Sequence, residues 1–268
     1  MNLSPEPSAR LPALFLSHGS PALILEDCPA RDFLQSVGRL VPEPKAILVV
    51  SAHWETEAPR VTTGERPQTV HDFFGFPDAL YRLAYAAPGH PALAERVIGL
   101  LREAGFQAAG DKAQGFDHGV WSPLILAFAE ADVPVLQLSL QPGQDARHHL
   151  ALGRALAPLR DEGVLIVGSG STTHNLAAFR QMRLQLDTPP VAWAEAFADW
   201  LAEKVEAGDE AALLNWRNAP EARRNHPTPE HFLPFFVPLG AGTPGVPGRV
   251  LHRSMTYGVL AMDAYAFD

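Results

Sequence analysis

A single cysteine, Cys28, in 268 residues leaves no way to build an intrachain disulfide, which suits a reducing compartment. It stands in an Asp27-Cys28-Pro29 turn after Glu26, where a quiet structural thiol is expected. Long apolar runs are missing too: none nears the roughly 20 residues that a membrane-crossing helix needs. The opening stretch MNLSPEPSARLP is polar and proline-bearing and lacks the basic-then-apolar pattern of a secretory signal. Positive charge is scarce, with 21 Lys and Arg against 30 Asp and Glu and a net charge of −9. A uniformly acidic chain is poorly suited to gripping a phosphate backbone, so nucleic acid is not an expected partner. Internal repeats and low-complexity segments are absent as well. Together these absences predict a cytoplasmic protein with no membrane and no nucleic acid among its partners.

What is present is apolar and evenly spread. Hydrophobic residues make up 47% of the chain, enough to bury a substantial core, and no shift in composition marks a domain boundary. Short continuous apolar runs recur at Leu14-Phe15-Leu16, Ala46-Ile47-Leu48-Val49-Val50, Val133-Pro134-Val135-Leu136-Gln137-Leu138 and Val164-Leu165-Ile166-Val167. Such runs read as strands buried on both faces, hence a parallel sheet. Helical patterns alternate with them. Pro91 to Gly105 begins with proline in its first turn and ends at glycine. Asp145 to Gly163 carries Leu152, Leu156 and Leu159 at helical spacing, and Val191 to Ala207 has a polar face of Glu195, Asp199 and Glu203. A short helix with an aromatic face is predicted at Pro229 to Leu239, a connector at Gly240 to Gly248, and a closing hairpin or edge-strand pair at Arg249 to Ala266. The expectation is α/β: a single domain, 1–268, with a mostly parallel central sheet flanked by helices.

The eleven histidines fall unevenly. His18 directly follows the first run and His53 the second, while His174 comes just past the Gly168-Ser169-Gly170 turn after the fourth. In an open parallel sheet, ligands bind beyond the carboxyl ends of the strands. Three of the four core strands thus deliver an imidazole to one edge. Imidazole is a common ligand for zinc, iron and copper, so a metal site is expected there. The adjacent glycines let backbone approach a ligand closely, or serve simply as tight strand-to-helix turns. Gly168-x-Gly170 lacks the third glycine of a dinucleotide fingerprint.

His118 opens a helix after a loop, and Asp117 is placed to orient a neighbouring imidazole. Thr228 reads as an N-cap with Pro229 at the first helical position, which puts His231 in the first turn of a helix. Glu230 lies about 100° from His231 around such a helix, so only one of the two should face a given site. His148 and His149 read as solvated, His90 as a turn residue and His252 as strand surface, while His226 stays open. His71 begins the glycine-hinged HDFFGFP stretch, which either covers the core edge or folds over a substrate.

Six segments in order resemble the class III extradiol ring-cleavage dioxygenases, nearest the DOPA 4,5-dioxygenase type. They are LFLSHGSP (Leu14–Pro21), VVSAHWET (Val49–Thr56), HDFFGFP (His71–Pro77), GFDHGVWSPL (Gly115–Leu124), GSGSTTHNL (Gly168–Leu176) and PTPEHFLP (Pro227–Pro234). Each is modest alone, and together they span essentially the whole chain. The resemblance implies a non-haem site with His18, His53 and His231 as metal ligands. It makes His174 either a fourth ligand or the acid/base residue, and His118 a catalytic histidine that either backs the metal ligands or faces the substrate. Fe(II) is the implied working metal, with Zn(II) accepted in its place. The implied partners are a small catecholic substrate and O₂. Better-known relatives use two histidines and a glutamate, so Glu230 stands as the alternative to His231. More imidazole and less carboxylate shifts preference somewhat toward zinc. A zinc-dependent hydrolase on the same scaffold, or a non-catalytic metal-binding relative, are the competing classes. Arg82 and Arg253 are candidates for holding a carboxylate on the substrate's side arm.

Overall fold

The computed structural model describes residues 10–182 and 184–268; residues 1–9 of the polar opening stretch lie outside these. Among the described residues ten strands form: β1 (Ala13–Ser17), β2 (Ala46–Glu55), β3 (Arg60–Thr62), β4 (Ala109–Asp111), β5 (Val135–Leu140), β6 (Val164–Gly170), β7 (Arg249–His252), β8 (Met255–Thr256), β9 (Leu260–Ala261) and β10 (Ala264–Phe267). Eight make one sheet in the order β4-β3-β5-β2-β6-β1-β10-β7. The four apolar runs are its centre, β5-β2-β6-β1, and all three pairings among them are parallel. The flanks bring in antiparallel pairing, β3 on β5 at one side and β10 between β1 and β7 at the other. The predicted closing pair is therefore β7 with β10, and β8 and β9 make a small separate ladder.

Successive side chains of the central strands point to opposite faces, and each face has its own core. Phe15, Leu48, Val50, Leu138 and Ile166 pack with Leu101, Leu150 and Phe236 on one side. Leu14, Leu16, Ile47, Val49 and Val167 pack with Leu34, Val37 and Leu124 on the other. Burying each such side chain contributes about 1.5–3 kcal/mol. This two-sided burial is why the runs show no alternation. The helices Pro91–Glu103, Ala146–Leu156 and Ala192–Glu206 stand where their patterns predict. A further helix, Pro29–Leu40, covers the second face.

The helix expected at Pro229 to Leu239 does not form as one unit. Turns run through His231, followed by a 3₁₀ turn at Leu233–Phe235 and an α-helix at Phe236–Ala241. Pro234 explains this, because it has no N–H for the carbonyl of Glu230 and its ring would clash there. The Thr228 hydroxyl donates to the Glu230 carboxylate at 3.0 Å rather than capping a helix.

Candidate metal centre

The carboxyl ends of β1, β2 and β6 lie side by side, since Ser17 pairs with Gly170 and Ser51 with Ser169. His18 follows β1 directly, His53 lies within β2 near its carboxyl end, and His174 follows β6. The long segment after Asn225 returns across the end of β6. It is held there by the Ser171 N–H, which donates to the His231 carbonyl at 2.8 Å. That approach is close enough that a Cβ at Gly170 would collide with the His231 carbonyl oxygen, and one at Gly168 with that of Pro234. The glycines in this turn thus admit a neighbouring backbone, bringing His231 to the same edge. His118 arrives at the start of the helix His118–Ala127.

These five histidines converge. The His18 ring centroid lies 5.0, 5.4 and 5.5 Å from those of His53, His118 and His231. His53 and His118 are 3.9 Å apart, and His174 stacks on His231 at 3.5 Å with 6° between the planes.

The hydrogen bonds around the rings fix which nitrogens are bare. The Ser169 hydroxyl donates to the Gly119 carbonyl. It can therefore only accept from His18 Nδ1, 3.0 Å away, leaving His18 Nε2 as an unprotonated lone pair. His53 Nδ1 faces Asp72 Oδ2 at 3.5 Å, which favours the proton on that nitrogen and bares Nε2 as well. The two Nε2 atoms are 3.1 Å apart. Two lone pairs at that distance repel unless a cation sits between them. His231 Nδ1 donates to Glu230 Oε1 at 3.1 Å, baring its Nε2 in turn. One ligand atom from each of His18, His53 and His231 can be chosen so that all lie within 4.8 Å of one another. Each ring is backed by a hydroxyl or carboxylate, the usual outer support of metal-bound imidazole. The donor set thus fits a divalent metal.

Electrostatics point the same way. Burial, and then the neighbouring imidazoles, push His18 and His231 well below the ordinary histidine range. Burial also lowers His53, and brings His174 down to about 4. The rings are therefore neutral at pH 7, as metal ligands must be. Burial alone would raise the Asp72 carboxyl, but hydrogen bonds from His118 and that ring's charge outweigh it and hold Asp72 below its usual value.

Asp72 is the residue that sequence reading did not single out. Its Oδ1 accepts from the His118 backbone N–H and its Oδ2 from His118 Nδ1, both at 2.9 Å. His118 Nε2 is left unused on the cleft side. The available signal was position, since Asp72 lies in HDFFGFP beside His71. Asp117, expected to orient an imidazole, instead accepts from Ser51 Oγ at 2.6 Å and from Gln137 Nε2. Burial pushes its carboxyl up to about 6. His231 and Glu230, expected to diverge on a helix, sit together in a turn.

The remaining histidines fall elsewhere. His149 is fully buried, against expectation, because its ring closes a turn: Nδ1 donates to the Asp145 carbonyl at 2.8 Å and Nε2 accepts from the Gln141 N–H at 3.4 Å. His90 caps the helix Pro91–Glu103. His226 is buried with Nε2 on the Thr172 carbonyl at 2.9 Å, and His252 stacks on Phe33.

A cleft of about 630 Å³ opens over the five histidines. Its upper walls are apolar, with Phe73, Phe74, Phe76, Leu176 and Phe179 among them. Residues 72–76 of HDFFGFP therefore line the cleft, with Gly75 at φ +78°. Neither Arg82 nor Arg253 is part of the lining; Arg253 is held by Asp199 at 2.6 Å and faces Asp263 at 3.5 Å.

The family model described as the catalytic LigB subunit of aromatic ring-opening dioxygenase matches residues 12–267. Over 263 residues the chain is 43% identical to the 4,5-DOPA dioxygenase extradiol of Beta vulgaris, covering 94% of this chain and 95% of that protein. Over 259 residues it is 42% identical to the protein of the same name from Escherichia coli K12, covering 95% and 94%. The crystal structure of an uncharacterized Escherichia coli K12 protein superposes with a TM-score of 0.79 at 35% identity, covering 97% of this chain and 100% of that one.

Proposed function

Because the chain belongs to the family of catalytic LigB subunits of aromatic ring-opening dioxygenases and is an extradiol ring-cleavage dioxygenase, we propose that it opens a catechol with a DOPA-like side arm, with His18, His53 and His231 holding ferrous iron. The observation that carries the ligand assignment is the pair of bare Nε2 atoms 3.1 Å apart, joined by a third on His231 whose Nδ1 is tied to Glu230. Glu230 then serves as the support of His231 rather than its replacement. When bound, the metal supplies Lewis acidity toward the catechol hydroxyls and a route for electrons to O₂.

The protein's own residues do the rest. His174 lines the cleft beside His231. It is neutral at pH 7, so it can accept the second catechol proton and return it later. His118, with Nδ1 committed to Asp72, presents Nε2 to the cleft as a hydrogen-bonding group. Oxygen insertion beside the hydroxyls gives a ring-opened semialdehyde. The phenylalanines of the loop over the cleft exclude water from the ring.

Anaerobic reconstitution of metal-free protein with ferrous iron, followed by catechols and oxygen, tests this reading. Stoichiometric oxygen uptake with a yellow product is expected for DOPA. Reconstitution with zinc should give bound metal without uptake. Ester or amide turnover by the zinc form, with no uptake by the iron form, would sink the proposal.

A further inference from the structure

The described lining of the cleft carries one full positive charge. Among the described residues that line the cleft, Arg180 is the only Arg or Lys. It sits on the helix Leu176–Met182, which begins two residues after His174 and is started by the Asn175 side chain, whose Oδ1 accepts from the Ala178 N–H at 2.9 Å. Leu176, Phe179 and Arg180 all line the cleft. Their spacing of i, i+3 and i+4 puts them on one face of that helix. The stripe therefore presents two apolar side chains and one cation to the same cleft. Arg180 lies just over one turn, or about 6 Å, farther along the axis than Leu176.

Several surface arginines are tied to carboxylates, such as Arg96 to Glu162 and Arg154 to Glu210, and of the arginines without such a partner among the described residues Arg180 is the one that lines the cleft. Arg180 has no such partner among the described residues, and its side chain is exposed to the cleft and solvent. A chain of net charge −9 offers no general attraction to an anion, so a local cation must supply it. The guanidinium fork matches a carboxylate with two parallel hydrogen bonds.

We propose that Arg180 is the side-arm subsite of this enzyme, binding the carboxylate of a catechol whose ring lies between the histidines and the loop phenylalanines. The substrate class is then a catechol with an anionic arm on the side of the ring away from the hydroxyls. This rests on the ring-cleavage reading for the orientation of the ring.

Binding and turnover are measured together. Calorimetry on the zinc-loaded protein gives Kd for 3,4-dihydroxyphenylpropionate, which has a carboxylate, and for 4-methylcatechol, which has none. The iron-loaded protein gives kcat and KM for the same pair. Arg180→Gln should reduce the preference for the carboxylated ligand, as a ratio of Kd values, by roughly tenfold or more, the size of a charge-assisted pair. In turnover the loss should appear in KM and not in kcat. Arg180→Lys should recover part of the ratio. Arg180→Glu should reverse it in favour of dopamine, whose arm is cationic, an outcome that a merely structural role cannot produce. An unchanged Kd ratio in both Arg180→Gln and Arg180→Glu overturns the subsite. If neither catechol is cleaved by the iron form while the Kd ratio still shifts, the subsite stands and the ring-cleavage reading falls.

Discussion

Replacing His174 with Phe separates two roles that an imidazole could have in this cleft. The ring is stacked flat on His231 at 3.5 Å, and a phenyl ring can keep that stack while losing every lone pair. If His174 moves a proton, His174→Phe should keep metal content close to that of the wild type. Turnover should drop by about 10²–10⁴-fold, the usual worth of a positioned general acid/base. Metal analysis beside single-turnover kinetics checks this, and a variant purified with little metal would make His174 a ligand. At this scale the sequence was most legible where a histidine lies at or just past the carboxyl end of a core strand, as His53 and His18 do. It was least legible where a partner is brought in by chain reversal. Asp72 meets His118 across 46 positions, and no local pattern records that meeting. Asp117, the nearer carboxylate, was the natural choice but turns inward to Ser51 and Gln137.

Among the elements, the end of β6 does the most to assemble the centre, because the strand and the returning His231 segment are in backbone contact there. Gly170→Ala puts a methyl group on the His231 carbonyl. Overpacking of this kind costs about 1–3 kcal/mol, and the strain is relieved most directly by moving His231 away. The expected result is a lower urea midpoint together with weaker metal retention. Gly99→Ala is the counterpart. Gly99 lies within the helix Pro91–Glu103 with open space around its Cα, and alanine there should stabilise by up to about 1 kcal/mol without touching metal content. Equal metal loss in both variants would remove the special role of β6. The four central strands could be read directly because burial on both faces makes each a continuous apolar run. The three-residue strands β3 and β4 are too short to leave a pattern. The Pro229 to Leu239 segment has helical spacing of its aromatics, but Pro234 divides it, and the division is what frees His231 to sit in a turn.

Over the whole molecule, acid tolerance depends on buried groups far from the metal as well as on the centre itself. His149 illustrates the sign. Burial, only partly offset by its bond to the Asp145 carbonyl, lowers it to about 4. The unfolded chain takes up that proton near 6.5, so the folded state is favoured above this pH and loses the contribution as pH falls from about 6.5 to about 4. Protonation also removes the Nε2 lone pair that accepts from the Gln141 N–H. Asp117 and Asp263 run the other way. Burial raises each to about 6, so their contributions are full below the ordinary aspartate value and fade as pH rises toward 6. A glutamine at 149 can still donate and accept but takes up no proton. His149→Gln should therefore be the less stable protein at pH 7. The deficit should shrink by up to about 1.4 kcal/mol per pH unit between pH 6 and pH 4.5. Urea titrations of the metal-free wild type and variant at several pH values decide it, since metal binding at the distant centre would add its own pH dependence. A deficit that stays constant over that range would mean that His149 is protonated in the folded protein and that its burial does not set its charge.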